Sequence, residues 1–413
     1  MSDFTFAFLT LVVANVAIRF TLYQRQIQSV RAHTACVPTA FCDAISLKDH
    51  QKASAYTQAK MSLAQWQLGL ETLWLLALTL GGGINLFYRW ALEASPADMP
   101  LITGLAFLGI LSVLSSLIDL PISIYRQFHL EARFGFNRMS PRLFVTDLIR
   151  NALVGTLIAL PIVSLLLWLL QDATPLSWLW AWALWMGFNA LLLFLYPVVI
   201  APLFNKFTPM PESAHKAKLD ELLQRCQFAA SGLFVMDGSR RSAHANAYFT
   251  GFGKHRRVVL FDTLIKQLTP EQLEAVLAHE IGHYKRHHLP KRLATMALLS
   301  LVLLWTLFQL MHAPWFYQAL GVHFINPATA LALFSLTLPL CLLPLSPLSN
   351  ALSRKHEYEA DAYAATQTDS DQLVGALVTM YRENASTLTP DPVYSLFHDS
   401  HPPAALRVAH LTQ

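Results

Sequence analysis

The sequence predicts a mainly α-helical, polytopic membrane protein with seven transmembrane helices and a water-exposed part that carries a small β-sheet. Three observations support this fold class. Hydrophobic residues make up 54% of the 413 residues and charged residues only 14%, whereas an average soluble domain has about 25% charged residues. Seven apolar stretches approach the length of about 20 residues that crosses a bilayer. The Lys and Arg residues are concentrated in alternate connecting segments, as in membrane proteins of fixed orientation.

The seven predicted spans are apolar segments separated by polar connections. They lie near residues 4–23, 66–88, 101–125, 148–170, 177–200, 293–311 and 327–347. We expect the first span to be retained, because Asp3 precedes it, whereas a cleaved signal peptide would begin with a basic region. Four charged residues lie inside or at the ends of spans: Glu71, Asp119, Asp147 and Arg150. Such groups usually face a partner or a cavity.

The charges of the connecting segments predict an orientation. Nearly all Lys and Arg residues follow spans one, three, five and seven, and the segments after the other three spans contain only Arg89. Positive residues stay on the cytoplasmic side, so we expect the N-terminus outside and the C-terminus inside. The chain then divides into spans one to five with their loops (1–200), a cytoplasmic segment (201–292), spans six and seven (293–347) and a second cytoplasmic segment (348–413).

Charge argues against a nucleic-acid-binding protein, and the cysteine content argues against a protein held together by disulfides or by cysteine-bound metal. The net charge of +4 is mild, and no nucleic-acid-binding motif is present, so we expect no nucleic-acid partner. The four cysteines form no Cys-x-x-Cys pair, which argues against a disulfide framework and against a cysteine metal site. They are Cys36, Cys42, Cys226 and Cys341.

The first cytoplasmic segment shows patterns of both helix and strand. Residues 212–228 predict an amphipathic helix, and residues 232–236, 245–249 and 256–262 predict strands. Thr269 and Pro270 predict the start of another helix, since Thr269 can cap it, Pro270 suits its first turn and Gln272 can make the return contact. In the second cytoplasmic segment, residues 351–366 predict a helix.

The helix that begins after Thr269 carries a metal-binding pattern. His279 and His283 are four residues apart, which places both imidazoles on one face of that helix. Two histidines in this arrangement can bind one Zn²⁺. Glu280 projects beside the metal, where it can take a proton from water that the metal activates. Gly282 costs a helix about 1 kcal/mol relative to Ala, which predicts that another element approaches closely there.

A catalytic zinc needs a third protein ligand and an open position. The helix over residues 351–366 offers Glu357 as the ligand and Asp361, four residues later on the same face, as the group that orients a ligand histidine. We expect His356 and Glu359 of this helix to lie on a solvated surface. His287 and His288 follow the metal-binding pattern and precede Pro290. We interpret them as part of an interfacial basic cluster rather than as ligands.

The sequence resembles the type I CAAX prenyl proteases, which are seven-span zinc endopeptidases, over most of its length. Several motifs carry the resemblance in the family's order. They are residues 131–137, 196–197, 202–206, 242–249, 259–264, 279–283, 350–361 and 400–403, together with Arg407. The first hundred residues are similar to the family only in layout.

The resemblance implies a ring of seven helices that encloses a water-filled chamber, with a zincin-like metalloprotease domain at its cytoplasmic end. It implies one Zn²⁺ per chain, with Glu357 as third ligand and Asp361 as the following acid. It implies that Asn246, Ala247, Tyr248 and Phe249 form the strand on which substrate lies. It also implies that His401 and Arg407 approach the site, where His401 can donate to the oxyanion.

The implied partners are the lipid bilayer and a peptide or protein substrate that is lipid-modified or membrane-associated. The C-terminal residues carry no retrieval signal for the endoplasmic reticulum, and the external loops are short. We therefore expect a bacterial inner-membrane enzyme, in which a broader role in cutting membrane or misfolded proteins is open.

Two other readings of the residues remain open. One is a membrane quality-control metalloprotease of the heat-shock HtpX type, which shares the metal-binding pattern but has fewer spans. The other is a transporter or channel with an incidental zinc site, which would hydrolyse no peptide. Clearance of blocked translocation channels would be a difference of substrate and not of chemistry. The substrate, the cleavage site and the oligomeric state stay undetermined by sequence.

Overall fold

The computed structural model describes residues 2–171, 174–250 and 256–412. Long apolar helices form one part of the molecule, and shorter helices pack on a β-sheet in the other. The helices are α1 (Asp3–Ala32), α2 (Leu47–Leu78), α3 (Gly83–Ala94), α4 (Pro100–Tyr125), α5 (Pro141–Gln171), α6 (Ser177–Leu195), α7 (Ala201–Phe204), α8 (Ala214–Arg225), α9 (Asp262–Gln267), α10 (Pro270–Lys285), α11 (His288–Met311), α12 (Pro314–Ala319), α13 (Pro327–Leu342), α14 (Ser346–Gln367), α15 (Ser370–Glu383), α16 (Pro392–His398) and α17 (Ala404–Leu411). The strands are β1 (Phe207–Pro209), β2 (Leu233–Met236), β3 (Ala247–Thr250) and β4 (Arg257–Phe261).

Six helical segments of the described chain are long and apolar enough to cross a membrane, and a bent pair of helices brings the number to seven. The six contain α1, α4, α5, α6, α11 and α13, where spans one and three to seven were predicted. Two of them continue as π-helical segments, over Arg126–Glu131 after α4 and over Tyr196–Ile200 after α6. The protein is therefore an integral membrane protein.

The second predicted span is not one straight helix. It consists of α2 and α3, which meet at an angle of 60°. Gly82 lies at the break with φ +78°, a conformation that residues with a Cβ rarely adopt. Asn85 fastens the bend, because its side-chain amide donates to the Gly321 carbonyl at 2.7 Å and its carbonyl accepts from the His323 amide at 2.8 Å. Sequence hydropathy does not show this bend, since both arms are apolar.

Two of the charged residues at membrane depth have charged partners. Arg19 of α1 lies 3.1 Å from Glu71 of α2. Asp147 of α5 accepts two hydrogen bonds from Arg241, at 2.8 and 3.0 Å. Arg241 lies between β2 and β3, so this ion pair joins a membrane helix to the sheet-containing part. The expectation that such groups face partners is confirmed for Glu71 and Asp147.

In the described residues, the sheet has four strands in the order β1-β2-β4-β3. The outer pairs are antiparallel and the central pair β2–β4 is parallel. The three predicted strands are present within a few residues, and β1 was missed because its three residues are too few to show alternation. Helices α8 and α10 cover the sheet, and the core between them contains leucines of both helices and of β4 that are at most 2% exposed: Leu219, Leu222, Leu260, Leu273 and Leu277.

The helix α10 begins as its cap residues predict. The Thr269 hydroxyl accepts from the Gln272 amide, and the Gln272 side chain accepts from the Thr269 amide, both at 3.2 Å. The predicted helix over residues 351–366 is α14, which follows α13 after a short 3₁₀ turn at Leu343–Leu345. A span thus leads directly into α14, which packs along α10. Helices α9 and α15 to α17 were not predicted.

Candidate metal centre

The two histidines of the metal-binding pattern point into one space beside α10. Helical geometry puts residues four apart on one face, and the Nε2 atoms of His279 and His283 lie 3.2 Å from each other. His279 is 8% exposed, and His283 is partly exposed. Two ring nitrogens at this separation form the first half of a cation site.

The third group comes from α14. The Glu357 carboxylate lies 3.6 Å from Nε2 of His279 and 3.3 Å from Nε2 of His283. Ligand atoms of all three residues lie within 4.8 Å of one another. Within the described residues, the buried Oε2 of Glu357 has no hydrogen-bond partner. A buried carboxylate oxygen without a partner is costly, and a metal ion among these atoms would satisfy it. The donor set of two imidazoles and one carboxylate is one that catalytic zinc uses.

Behind the metal site lies a buried ion pair. Asp361 is fully buried and its Oδ1 lies 2.8 Å from Nδ1 of His279. Arg407 of α17 donates to both Asp361 oxygens, at 2.8 and 2.5 Å. Burial by itself raises the pKa of Asp361, but the hydrogen bonds from His279 and Arg407 outweigh it and lower the pKa to about 2. Asp361 is thus an anion that accepts the Nδ1 proton of His279 and leaves Nε2 free.

Glu280 follows the first histidine and lies at the edge of the same space. Removal of water around the carboxyl raises the pKa of Glu280, an effect that the nearby His279 and His283 oppose. A carboxylate whose pKa lies above its ordinary value is a better proton acceptor than a solvated one. The residue is partly buried rather than sealed off, so a water molecule or a substrate can reach it.

The C-terminal segment brings His401 to the open side of the cluster. Nε2 of His401 lies 3.5 Å from Oε1 of Glu357, and the side chain of His401 is 65% exposed. Arg407 Nη1 lies 3.7 Å from Oε2 of the same carboxylate. The structure therefore gathers every residue that the sequence placed in or around the metal site.

The strand β3 contains three of the four residues expected to hold substrate, and Asn246 directly precedes it. β3 is an edge strand of the sheet. The Phe261 amide of β4 donates to the Asn246 carbonyl at 3.1 Å. Because hydrogen-bonded residues alternate along an antiparallel pair, the backbone groups of Ala247 and Phe249 face the open edge. Phe249 packs against Phe228, with ring centroids 5.1 Å apart.

The interpretation of His288 as an interfacial group is wrong, and Glu359, expected on a solvated surface, has a side chain that is 30% exposed and contacts His288. His288 is 6% exposed. Its Nδ1 lies 2.8 Å from Nδ1 of His283, and its Nε2 lies 2.9 Å from Oε2 of Glu359. His287 adopts φ +56° and breaks the chain between α10 and α11. This break turns His288 back toward the metal site, and no periodic pattern in the sequence indicates it.

Comparisons with known proteins match the chain to one family. Residues 26–206 match the family described as CAAX prenyl protease N-terminal, five membrane helices, and residues 209–413 match peptidase family M48. The chain is 37% identical to CAAX prenyl protease 1 of Saccharomyces cerevisiae over 327 residues, which are 75% of this chain and 72% of that protein. It is 32% identical to a CAAX prenyl protease 1 homolog of Arabidopsis thaliana over 398 residues, 93% of this chain and 92% of that protein.

The fold is also similar to a solved structure. The crystal structure of S. mikatae Ste24p matches with a TM-score of 0.90 and 30% sequence identity, covering 100% of this chain and 99% of that chain. These matches favour the predicted membrane peptidase over the transporter and the HtpX-type alternatives. The chain belongs to the CAAX prenyl protease family, the membrane-embedded metalloendopeptidases of peptidase family M48.

Proposed function

We propose that the protein is a zinc endopeptidase in which His279, His283 and Glu357 hold one Zn²⁺. The single observation that carries this proposal is the convergence of two Nε2 atoms on a buried carboxylate whose Oε2 has no hydrogen-bond partner in the described chain. The ion-pair partners of Oε2, His279 and Arg407, lie 3.6 and 3.7 Å away, which is too far for a hydrogen bond, whereas a metal ion held by all three donors would satisfy this oxygen. Zinc is the metal that most often takes such a set.

A bound zinc ion would polarise the scissile carbonyl and lower the pKa of water to about 7. Glu280 is the general base, because its partly buried carboxylate lies beside the three donors and burial raises its pKa. The Glu280 carboxylate takes the proton of the attacking water and later delivers it to the leaving amine. His401 donates from Nε2 to the developing oxyanion, since its exposed ring lies on the open side of Glu357.

Asp361 and Arg407 act through His279 and not on substrate. Asp361 accepts from Nδ1 of His279 and fixes the ring so that Nε2 faces the metal. Arg407, which is 6% exposed, neutralises Asp361 and keeps its second oxygen occupied. Without the arginine, an anion at full burial would lose most of its compensation.

We further propose that substrate extends the sheet beside β3. The Ala247 carbonyl and the backbone groups of Phe249 would pair with an extended peptide, with Asn246 and Tyr248 flanking it. The Ala247 amide itself donates to the Asn246 side chain at 2.8 Å. The seven-helix part would enclose a water-filled chamber above this edge. The low burial of two segments, those formed by α6 and α11, supports a hollow ring. Only 6% of the most apolar stretch of each segment is buried, whereas a helix in a solid bundle would bury one face.

The division into 1–200, 201–292, 293–347 and 348–413 and the orientation remain proposals that rest on loop charge. On this proposal the zinc site faces the cytoplasm, and we further propose that the membrane is a bacterial inner membrane. The relatives are named CAAX prenyl proteases, and we propose a substrate of that kind: a membrane-associated peptide that carries a lipid near its C-terminus. A chamber within the membrane part would admit such a chain from the bilayer.

The test uses purified full-length protein in detergent with matched prenylated and unprenylated peptides, with and without a zinc chelator. The expected result is cleavage of both peptides, faster for the prenylated one, and loss of cleavage with chelator that returns when Zn²⁺ is restored. Cleavage that persists without metal would overturn the zinc site. Equal rates for the two peptides would overturn the lipid preference alone.

A further inference from the structure

We infer that His288 and Glu359 form a second positioning relay, which holds the ligand ring of His283 as Asp361 holds that of His279. The inference rests on the proposed zinc site. It extends that site by two residues that the sequence had placed at a surface. The three groups form one line, with Nδ1 of His283 2.8 Å from Nδ1 of His288 and Nε2 of His288 2.9 Å from Oε2 of Glu359.

The proton positions along this line are mutually consistent. For Nε2 of His283 to offer a lone pair to a metal, its ring proton must lie on Nδ1. That proton is donated to Nδ1 of His288, which must then carry no hydrogen. The ring proton of His288 therefore lies on Nε2, where the Glu359 carboxylate accepts it. Each nitrogen along this chain of hydrogen bonds therefore has one partner and is either a donor or an acceptor, and the chain ends on the Glu359 carboxylate.

The surroundings hold the relay in place. His288 is 6% exposed, and its ring stacks on that of His356, with centroids 4.1 Å apart and planes 16° from parallel. Glu359 is partly buried and lies 3.8 Å from Nζ of Lys291. The stack fixes the plane of His288, and the lysine fixes the carboxylate. A ring so confined cannot turn to offer a different nitrogen to His283.

Both relays connect a ligand histidine of α10 to a carboxylate of α14, and the second passes through His288 of α11. Asp361 and Glu359 are two residues apart on α14, and His279 and His283 are four apart on α10. Asp361 reaches its histidine directly. Glu359 precedes Asp361 by two residues and reaches His283 through His288, which follows the left-handed residue His287. Groups that orient ligand histidines in this way typically change metal affinity by 10–100-fold when they are lost.

The experiment measures how fast purified full-length protein in detergent loses Zn²⁺ to a chelator. His288→Leu removes the acceptor for Nδ1 of His283, whereas His288→Asn keeps a side-chain oxygen at a similar position. Glu359→Leu removes the final acceptor, and Glu359→Gln keeps one. Lys355→Gln is the matched control, because its side chain is 72% exposed and its Nζ lies 4.0 Å from Glu359 on the same helix.

We expect zinc loss about 10–100-fold faster for His288→Leu, a smaller acceleration for Glu359→Leu, and rates close to the parent for His288→Asn, Glu359→Gln and the control. In zinc-saturated protein, KM should stay near the parental value while kcat falls in the Leu variants. If His288 and Glu359 had only a structural role, zinc loss would not be faster in the Leu variants selectively. The Asn and Gln variants would then not restore the parental rate.

Equal zinc loss from His288→Leu and the parent would overturn the relay while leaving the zinc site intact. Equal acceleration in the Leu and Asn variants would overturn it as well, since the accepting atom would not matter. If His288→Leu fails to fold, the Glu359 pair decides by the same comparison. A parent protein that binds no Zn²⁺ would overturn the zinc site and the relay together.

Discussion

Gly282 of α10 lies directly against the backbone of Ala360 in α14. A Cβ added to Gly282 would stand 2.9 Å from the Ala360 carbonyl oxygen and 3.0 Å from its Cα. Gly282 lies between the two ligand histidines in the chain, and Ala360 lies between Glu357 and Asp361. The close approach predicted from the glycine is therefore confirmed, and it occurs where the two halves of the metal site meet.

Gly282→Ala should weaken the metal site although Ala favours helix by about 1 kcal/mol. The clash is with backbone, so α14 must move away and take Glu357 with it. Overpacking of this kind typically costs about 1–3 kcal/mol of stability. We expect faster zinc loss to a chelator and a lower unfolding temperature. Gly69→Ala in α2 is the control, because no atom lies within 4 Å of its added Cβ among the described residues. Similar effects of both changes would contradict the explanation.

Glu280→Gln should remove catalysis and leave the fold and the zinc. The amide keeps the size of the side chain but cannot accept a proton, and general base catalysis contributes roughly 10²–10⁴-fold to rate. The measurement is kcat on a peptide substrate, together with zinc content per chain. Glu271→Gln, an exposed change in the first turn of the same helix, should leave both at the parental level. Parental activity in Glu280→Gln would contradict the assignment of Glu280 as the general base.

Glu357→Ala should lower the zinc content of the purified protein. Removal of the carboxylate leaves the cation with two neutral imidazole ligands, whose Nε2 atoms lie 3.2 Å apart, and without a negatively charged ligand. Metal analysis after dialysis against a weak chelator measures the effect, with circular dichroism to show that helix content is kept. Unchanged stoichiometry would place the third ligand elsewhere.

Phe249→Pro should weaken substrate binding at the open edge of the sheet. Proline removes the outward-facing amide of Phe249 without removing a bond between β3 and β4, and edge strands accept proline in such positions. One backbone hydrogen bond contributes about 1 kcal/mol, so we expect kcat/KM to fall about five- to tenfold with zinc content unchanged. Phe249→Leu keeps the amide and the contact with Phe228. If it loses as much as Phe249→Pro, the pairing of substrate with β3 is wrong.

The local parts of the site could be predicted from sequence. Helical periodicity alone puts His279 and His283 on one face, and the Thr269 cap defines where that helix begins. The same periodicity pairs Glu357 with Asp361. The apolar stretches locate the spans, because the length of a span is set by bilayer thickness. Each of these inferences needs only residues that are close in the chain.

Contacts between distant residues were decided by the tertiary structure. Sequence could not show that Glu359 is joined to His283 through His288, because that line depends on the positive φ of His287 and on the separation of α10 from α14. Hydropathy could not show that the second span bends by 60°, since the apolar stretch continues across the bend, although the three glycines Gly81 to Gly83 lie at the break.

The sequence by itself thus determined the reactive groups, the helices that carry them and the membrane setting. Only the tertiary structure decided which oxygen of Glu357 lacks a hydrogen-bond partner among the described residues and which carboxylate supports each histidine. The physical reason is that local geometry follows from the repeat of one helix. The distance between two helices depends instead on how the side chains of both pack together. At Gly282, the absence of a side chain lets the helix approach Ala360 closely.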